Sequence, residues 1–201
     1  MPANGVTVLA QDNFHRSNQP FWGTSSGLRT WGGDANTNTA FAIFNNMGRI
    51  TGGQGALQAI LSVTSANADA FVSGSVSQFD LDGAVNLGLV LRWQDANDWY
   101  KALIDGQTLQ VLRAVNGHVT VLAEQPFQAN SGTRYSLRFR ILGSALFARA
   151  WPSAGQEPAT WNIMKIDTQL TTGLSGIRVK VQPGVVILVT AFQETSVSGP
   201  M

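Results

Sequence analysis

Polarity along this chain alternates with a period of two, and that constrains its fold more than any other feature. In TRYSLRFRIL (133–142), Tyr135, Leu137, Phe139 and Ile141 share one face, while Arg134, Ser136, Arg138 and Arg140 share the other. This is the signature of a half-buried antiparallel strand. LGLVLRW (87–93), WYKALID (99–105), QTLQVLRAV (107–115) and HVTVLAE (118–124) repeat it, although alternation leaves the sides of QTLQVLRAV open. Between these runs lie QDAND (94–98), DGQ (105–107), NG (116–117) and LGS (142–144). Asn and Gly tolerate the positive φ that tight hairpins demand. The pattern predicts a four-stranded meander over 87–124 and a further hairpin over 133–151. VTVLAQ, LQAILSVT and DAFVSGSVSQF supply earlier strands, and GVVILVTAFQETSV the last. No segment sustains helical periodicity. The expectation is an all-β chain, a two-sheet antiparallel β-sandwich of about 12–14 strands.

Only 12% of the 201 residues are charged and the formal net charge is +1. No overall field draws the chain to nucleic acid or to an anionic membrane. The longest apolar stretch, residues 184–192, is far short of the roughly 20 residues a membrane helix needs. There is no Cys, so disulfides, thiolate zinc sites and Cys nucleophiles are excluded. The opening MPANGVTVLA lacks a basic region followed by an apolar one, so no signal peptide is expected there. No linker divides the chain. Residues 1–201 read as a single domain with a long loop around Trp31 (23–39), a second long connection (152–172) and a frayed tail (196–201).

Three segments carry a family likeness: DNFHRSN with FWGTSSGLRTW (12–31), LVLRWQDANDWYKALI (89–104), and RAWPSAGQEPATW (149–161) with Asp167 beyond it. In this order they resemble the concanavalin A-like, laminin-G-like jelly-roll modules of bacterial extracellular and phage structural proteins. The resemblance spans nearly the whole chain. It implies two curved sheets of about six or seven strands, one of them concave. It also implies an extracellular, cell-surface or virion location. The implied partners are polysaccharides or cell-surface glycans, neighbouring domains, or capsid and tail proteins. No cofactor is required. Related modules carry a structural calcium where the terminal strands meet, and the matching residues are Asp12 and Glu194. Against that stands the plainer reading of two ordinary surface acids.

The fold itself does not choose among lectin, enzyme and spacer. A glycosidase needs two carboxylates facing each other across a groove. The chain's Glu residues are Glu124, Glu157 and Glu194, and none has a second acid at strand spacing. YKALIDGQ (100–107) loosely resembles a polysaccharide-lyase motif, but the matching Gln-x-His strand is missing. The expectation is therefore a non-catalytic, lectin-like carbohydrate-binding module. A structural or adhesion module without a small ligand is its rival, and a glycan-active hydrolase or lyase with an unfamiliar site is the third reading. Trp22 and Trp99 are the candidate stacking platforms. Arg92, Lys101, Arg113, Arg138 and Arg140 are candidate anion-binding residues on predicted strands, and on one concave face they would select acidic glycans. Arg113 belongs with them only if Leu112 and Ala114 form its strand's core pair. The competing expectation pairs these cations with Asp105, Glu157 and Asp167. Arg149 is expected to pair near Glu157, and Trp151 and Trp161 to be largely buried.

Overall fold

The computed structural model describes residues 6–80 and 82–198. The strands are β1 (Val8–Asp12), β2 (Gln19–Pro20), β3 (Gly32–Gly33), β4 (Phe41–Phe44), β5 (Met47–Thr51), β6 (Gly55–Ile60), β7 (Ala68–Val76) and β8 (Leu87–Trp93). They continue as β9 (Trp99–Ile104), β10 (Thr108–Val115), β11 (His118–Pro126), β12 (Arg134–Leu142), β13 (Ala145–Pro152), β14 (Ile163–Ile166), β15 (Leu174–Val181) and β16 (Val186–Ser196). Among the described residues the helical structure is one three-residue 3-10 turn, Asp34–Asn36.

One sheet runs β14-β13-β12-β7-β16-β5-β4-β2, with β1 also paired to the long β16. The other runs β11-β10-β9-β8-β15-β6-β3. Every strand pair is antiparallel, and the sheets enclose one large core that includes Trp22, Trp31, Leu89, Tyr100, Phe139 and Phe192. The chain is thus an all-β jelly-roll sandwich of the concanavalin A type, as the alternation and the resemblance led us to expect.

The meander over β8–β11 and the β12–β13 hairpin form as the turn residues dictate. Asn116 (φ 51°) and Gly117 (φ 77°) both take the left-handed conformation that a two-residue hairpin requires. Asp95 closes its own turn, accepting the Asn97 backbone N–H at 2.7 Å. Four strands at the front lie outside the expected set: the two-residue β2 and β3, and β4 and β5, which are joined by Asn45 (φ 51°) and Asn46 (φ 59°), the same turn chemistry. The connection expected over 152–172 contains β14, and β15 was likewise not foreseen. Ser196 pairs with Ala68 as the last residue of β16, which shortens the expected frayed tail. Its end, residues 199–201, lies outside the described residues.

β8 does not continue its alternation to the end. Val90 pairs with Gly176 and Trp93 with Leu174, so two residues of β8 oppose one of β15. Arg92 takes a positive φ of 49° in this bulge. A bulge bends the strand and re-aims its side chains. It carries the Arg92 side chain off the outer face.

Candidate functional site

A hollow of about 490 Å³ lies on the outer face of the seven-stranded sheet. Residues from β6, β9, β10, β11 and β15 and from the segment before β8 line it. Its floor depends on a missing side chain. Gly88 sits mid-sheet, where a Cβ would collide with the Lys101 stem and with the carbonyl oxygens of Ala102 (2.8 Å) and Arg178 (2.9 Å). The lysine lies across that gap and donates to Asn86 Oδ1 at 2.6 Å. Lys101 is only 4% exposed. Burial first, then the neighbouring charges of Arg178 and Lys180, pull its pKa well below the ordinary lysine value.

β15 presents those neighbours. Arg178 and Lys180 alternate with the buried Ile177, Val179 and Val181. The Arg178 guanidinium lies 5.0 Å from the Trp99 ring centroid and donates to Gln58 Oε1. Its pKa is lowered by burial, against the opposing charge of Asp34. None of Lys101, Arg178 and Lys180 makes a salt bridge with a described residue. The carboxylates lining the hollow are Asp82 and Asp105. Asp105 is engaged by its own turn, accepting from the Gln107 and Thr108 backbone N–H groups (3.0 and 2.8 Å) and the Thr108 hydroxyl (2.9 Å). Asn86, Gln107, Thr108 and Gln110 add amide and hydroxyl groups, and Leu103, Leu112 and Val119 add apolar surface. The hollow can hold a polar ligand by hydrogen bonds, with Lys101, Arg178 and Lys180 among its lining.

Of the residues singled out in the sequence, Lys101 and Trp99 line this hollow. Trp99 is 4% exposed beneath Arg178, so its ring packs a small outer-face cluster with Ile60, Val90 and Ala114 and offers no open stacking face. The others lie elsewhere, and the expected common face of five cations does not form. Arg92, turned by the bulge, donates to the carbonyls of Ala66, Leu170 and Gly143. Arg113 shares its face with the buried Leu109 and Val111 and reaches Asp167 at 2.6 Å. Leu112 is therefore on the outer face, which settles the alternative that alternation left open. Asp167 also accepts from the Tyr100 hydroxyl at 2.5 Å. Burial and then that carboxylate push the Tyr100 pKa up to about 12.

Arg138 and Arg140 belong to the other sheet. Arg140 pairs with Asp69 at 2.6 Å, and Arg138 with Glu157 at 3.1 Å. Arg149 also pairs with Glu157, and Trp151 is buried while Trp161 is half-buried under Arg149. Trp22 is fully buried against Phe14, Trp31 and Phe41 and cannot meet a ligand.

Asp12 and Glu194 are both buried, not surface acids. Burial raises the Asp12 pKa, but hydrogen bonds from Arg16, Trp31, Phe14 and Ser26 outweigh it and hold the carboxyl low. Arg16 already supplies the cation, bidentate at 2.8 and 2.9 Å. Glu194 accepts instead from Ser62 and Ser65. Among the described residues no group of three or more His, Asp or Glu is placed to hold a metal ion.

No protein-family model matches the chain. No curated protein is similar to it in sequence. Solved structures share its fold. The carbohydrate-binding module CBM66 from Bacillus subtilis is 17% identical with a TM-score of 0.58, covering 81% of this chain and 91% of that module. The CBM2 module of the evolved Dit of Lactobacillus casei BL23 phage J-1 is 11% identical, with a TM-score of 0.60 and 98% of each chain covered. A xylan β-1,4-xylosidase from Bacillus halodurans C-125 is 12% identical with a TM-score of 0.68, covering 92% of this chain. The chain spans 39% of that enzyme's length. These likenesses show a shared jelly-roll architecture.

Proposed function

We propose that this chain is a non-catalytic carbohydrate-binding module whose ligand, a polysaccharide or cell-surface glycan, lies in the hollow on the seven-stranded sheet. The observation that carries this reading is the hollow itself. About 490 Å³ of outer-face space is lined by amide, hydroxyl and cationic side chains from β9, β10, β15 and the adjoining loops, the donor-rich surface a sugar's hydroxyls require. Two of the solved structures that share the fold are named carbohydrate-binding modules. Arg178 and Lys180, neither in a salt bridge with a described residue, favour an acidic glycan. Of the two carboxylates in the hollow, Asp82 and Asp105, the second is held by three hydrogen bonds from its own turn, which argues against a hydrolytic acid pair, and no His or Tyr lines the hollow for elimination.

The test is a glycan array followed by calorimetric titration of the best binder. Lys180→Ala, in the hollow, should weaken binding at least tenfold. Arg138→Ala with Arg140→Ala, on the other sheet, should not. Silence across the array, or equal loss from both variants, would overturn the reading. A structural module of a phage tail or cell surface is the second reading. The matched length with the phage Dit module favours it, and it would then stand first.

A further inference from the structure

Lys101, Arg178 and Lys180 share the hollow without a salt bridge to a described residue, yet Lys101 is almost completely buried. Lys101 makes one hydrogen bond, to an amide oxygen that cannot neutralise it. Arg178 and Lys180 beside it make its charge harder to hold. A buried cation left in this state normally sheds its proton. Charged groups facing Lys101 come from every side of the hollow: Arg178 and Lys180 from β15, Asp82 from the segment before β8, and Asp105 at the end of β9. β8 contributes Gly88 and Val90, and the neighbouring part of β10 contributes Gln110 and Leu112, none of which titrates. The floor therefore holds a basic group that the protein by itself is poorly able to keep charged.

We propose that the hollow binds the anionic group of an acidic sugar, a carboxylate or a sulfate ester, against Lys101, Arg178 and Lys180, and that the ligand binds together with one proton, taken up by Lys101. This inference rests on the carbohydrate-binding reading. The anion supplies the missing counter-charge, so the ammonium form becomes favourable only in the complex. No bond is made or broken beyond transfer of one proton from solvent to Nζ. The sign follows from linkage. At pH values where free Lys101 is already protonated, affinity is greatest and no proton is exchanged. As pH rises through the depressed pKa, each binding event must recruit a proton, and affinity falls by up to tenfold per pH unit. Above the pKa of the complex it levels at its minimum. Arg178 stays charged throughout and supplies a proton-independent part of the attraction.

The experiment is isothermal titration of the intact chain with oligomers of galacturonate, mannuronate and hyaluronan, with a sulfated galactan, and with the methyl esters of the same uronates as uncharged counterparts. Each titration is run in two buffers of different ionisation enthalpy, at a series of pH values. We expect at least one acidic oligomer to bind, with esterification weakening it tenfold or more. Proton uptake should approach one per site where affinity falls with pH. Lys101→Met, whose unbranched stem still covers Gly88, should abolish the uptake and flatten the pH profile with little change in melting temperature. The proton count on the unmodified protein stands even if that variant folds poorly. Equal binding of esters and acids would overturn this inference while leaving the carbohydrate reading intact. So would acidic binding without proton uptake. Failure of every oligomer, together with a silent glycan array, would overturn both.

Discussion

Arg92 should behave as a structural pin, and replacing it should damage stability far more than any ligand contact. Its guanidinium makes four hydrogen bonds to three carbonyls: Ala66 O at 3.0 and 2.7 Å, Leu170 O at 2.6 Å and Gly143 O at 2.6 Å. Those carbonyls belong to three separate loops, those before β7, before β15 and between β12 and β13. Arg92 is 5% exposed and makes no salt bridge with a described residue. Arg92→Met keeps most of the stem and removes the fork. The backbone strain at φ 49° remains in the variant and cancels. Hydrogen bonds to a charged group contribute about 1.5–3 kcal/mol each, but they are not additive. The Ala66 and Gly143 oxygens can recover water at the surface, whereas the bond to Leu170 is buried. Removal of the strongly desolvated cation itself is a partial gain. The net expectation is a loss of about 3–5 kcal/mol. At about 2–4 °C per kcal/mol for a chain of this size, the melting temperature should fall by about 10 °C. Arg92→Lys should recover less than half of the loss, because a single ammonium cannot span three diverging carbonyls. Urea denaturation and differential scanning calorimetry measure both variants. A loss under about 1 kcal/mol would refute the pin, and a fall in glycan affinity with stability intact would make Arg92 a ligand residue after all.

Trp22→Ala should cost about 3–5 kcal/mol in urea denaturation, since the indole is fully buried with Phe14, Trp31 and Phe41 rings within 5.0 Å; a smaller loss with weakened glycan binding would restore it as a platform. Gly88→Ala should destabilise by about 1–3 kcal/mol through overpacking and displace Lys101, so glycan affinity should fall more steeply than stability. Glu194 is pushed above the ordinary glutamate value by burial, against the hydrogen bond from Ser62. Its contribution to stability is therefore fully present below the unfolded-state pKa and lost as pH rises through the higher folded-state value. Glu194→Gln should flatten that stretch of the stability–pH curve, and an unchanged curve would contradict it. Trp161→Ala should cost about 2 kcal/mol by the same denaturation assay, less than a fully buried ring, because the half-exposed indole keeps Arg149 at 4.2 Å and Phe147 at 5.5 Å.

The sheets were legible in the sequence because strand burial is a local, period-two property. Tyr135, Leu137, Phe139 and Ile141 turned inward as their spacing requires, and Asn116-Gly117 made its hairpin. The same signal marks two further places. Phe41 and Ile43 alternate before an Asn45-Asn46 turn, and Ile177, Val179 and Val181 alternate with Arg178 and Lys180. β15 carries two of the three basic residues in the hollow.

Other features could not be read from local pattern. Alternation assigned Arg92 to the outer face, but a bulge against β15 reversed it, and register between strands is set by pairing across the sheet. Which sheet carries Arg138 and Arg140 depended on β12 docking beside β7, where Arg134 pairs with Ser75, far earlier in the chain. The Trp31 indole and the Arg16 guanidinium met Asp12, and the serines of a distant segment met Glu194, only once the sandwich closed. The sequence by itself determined the strands, most of their turns and the class of fold, because each depends on neighbours a few residues away. Tertiary structure alone decided which cations are neutralised and which share a hollow, because charge partners are chosen by distance in space.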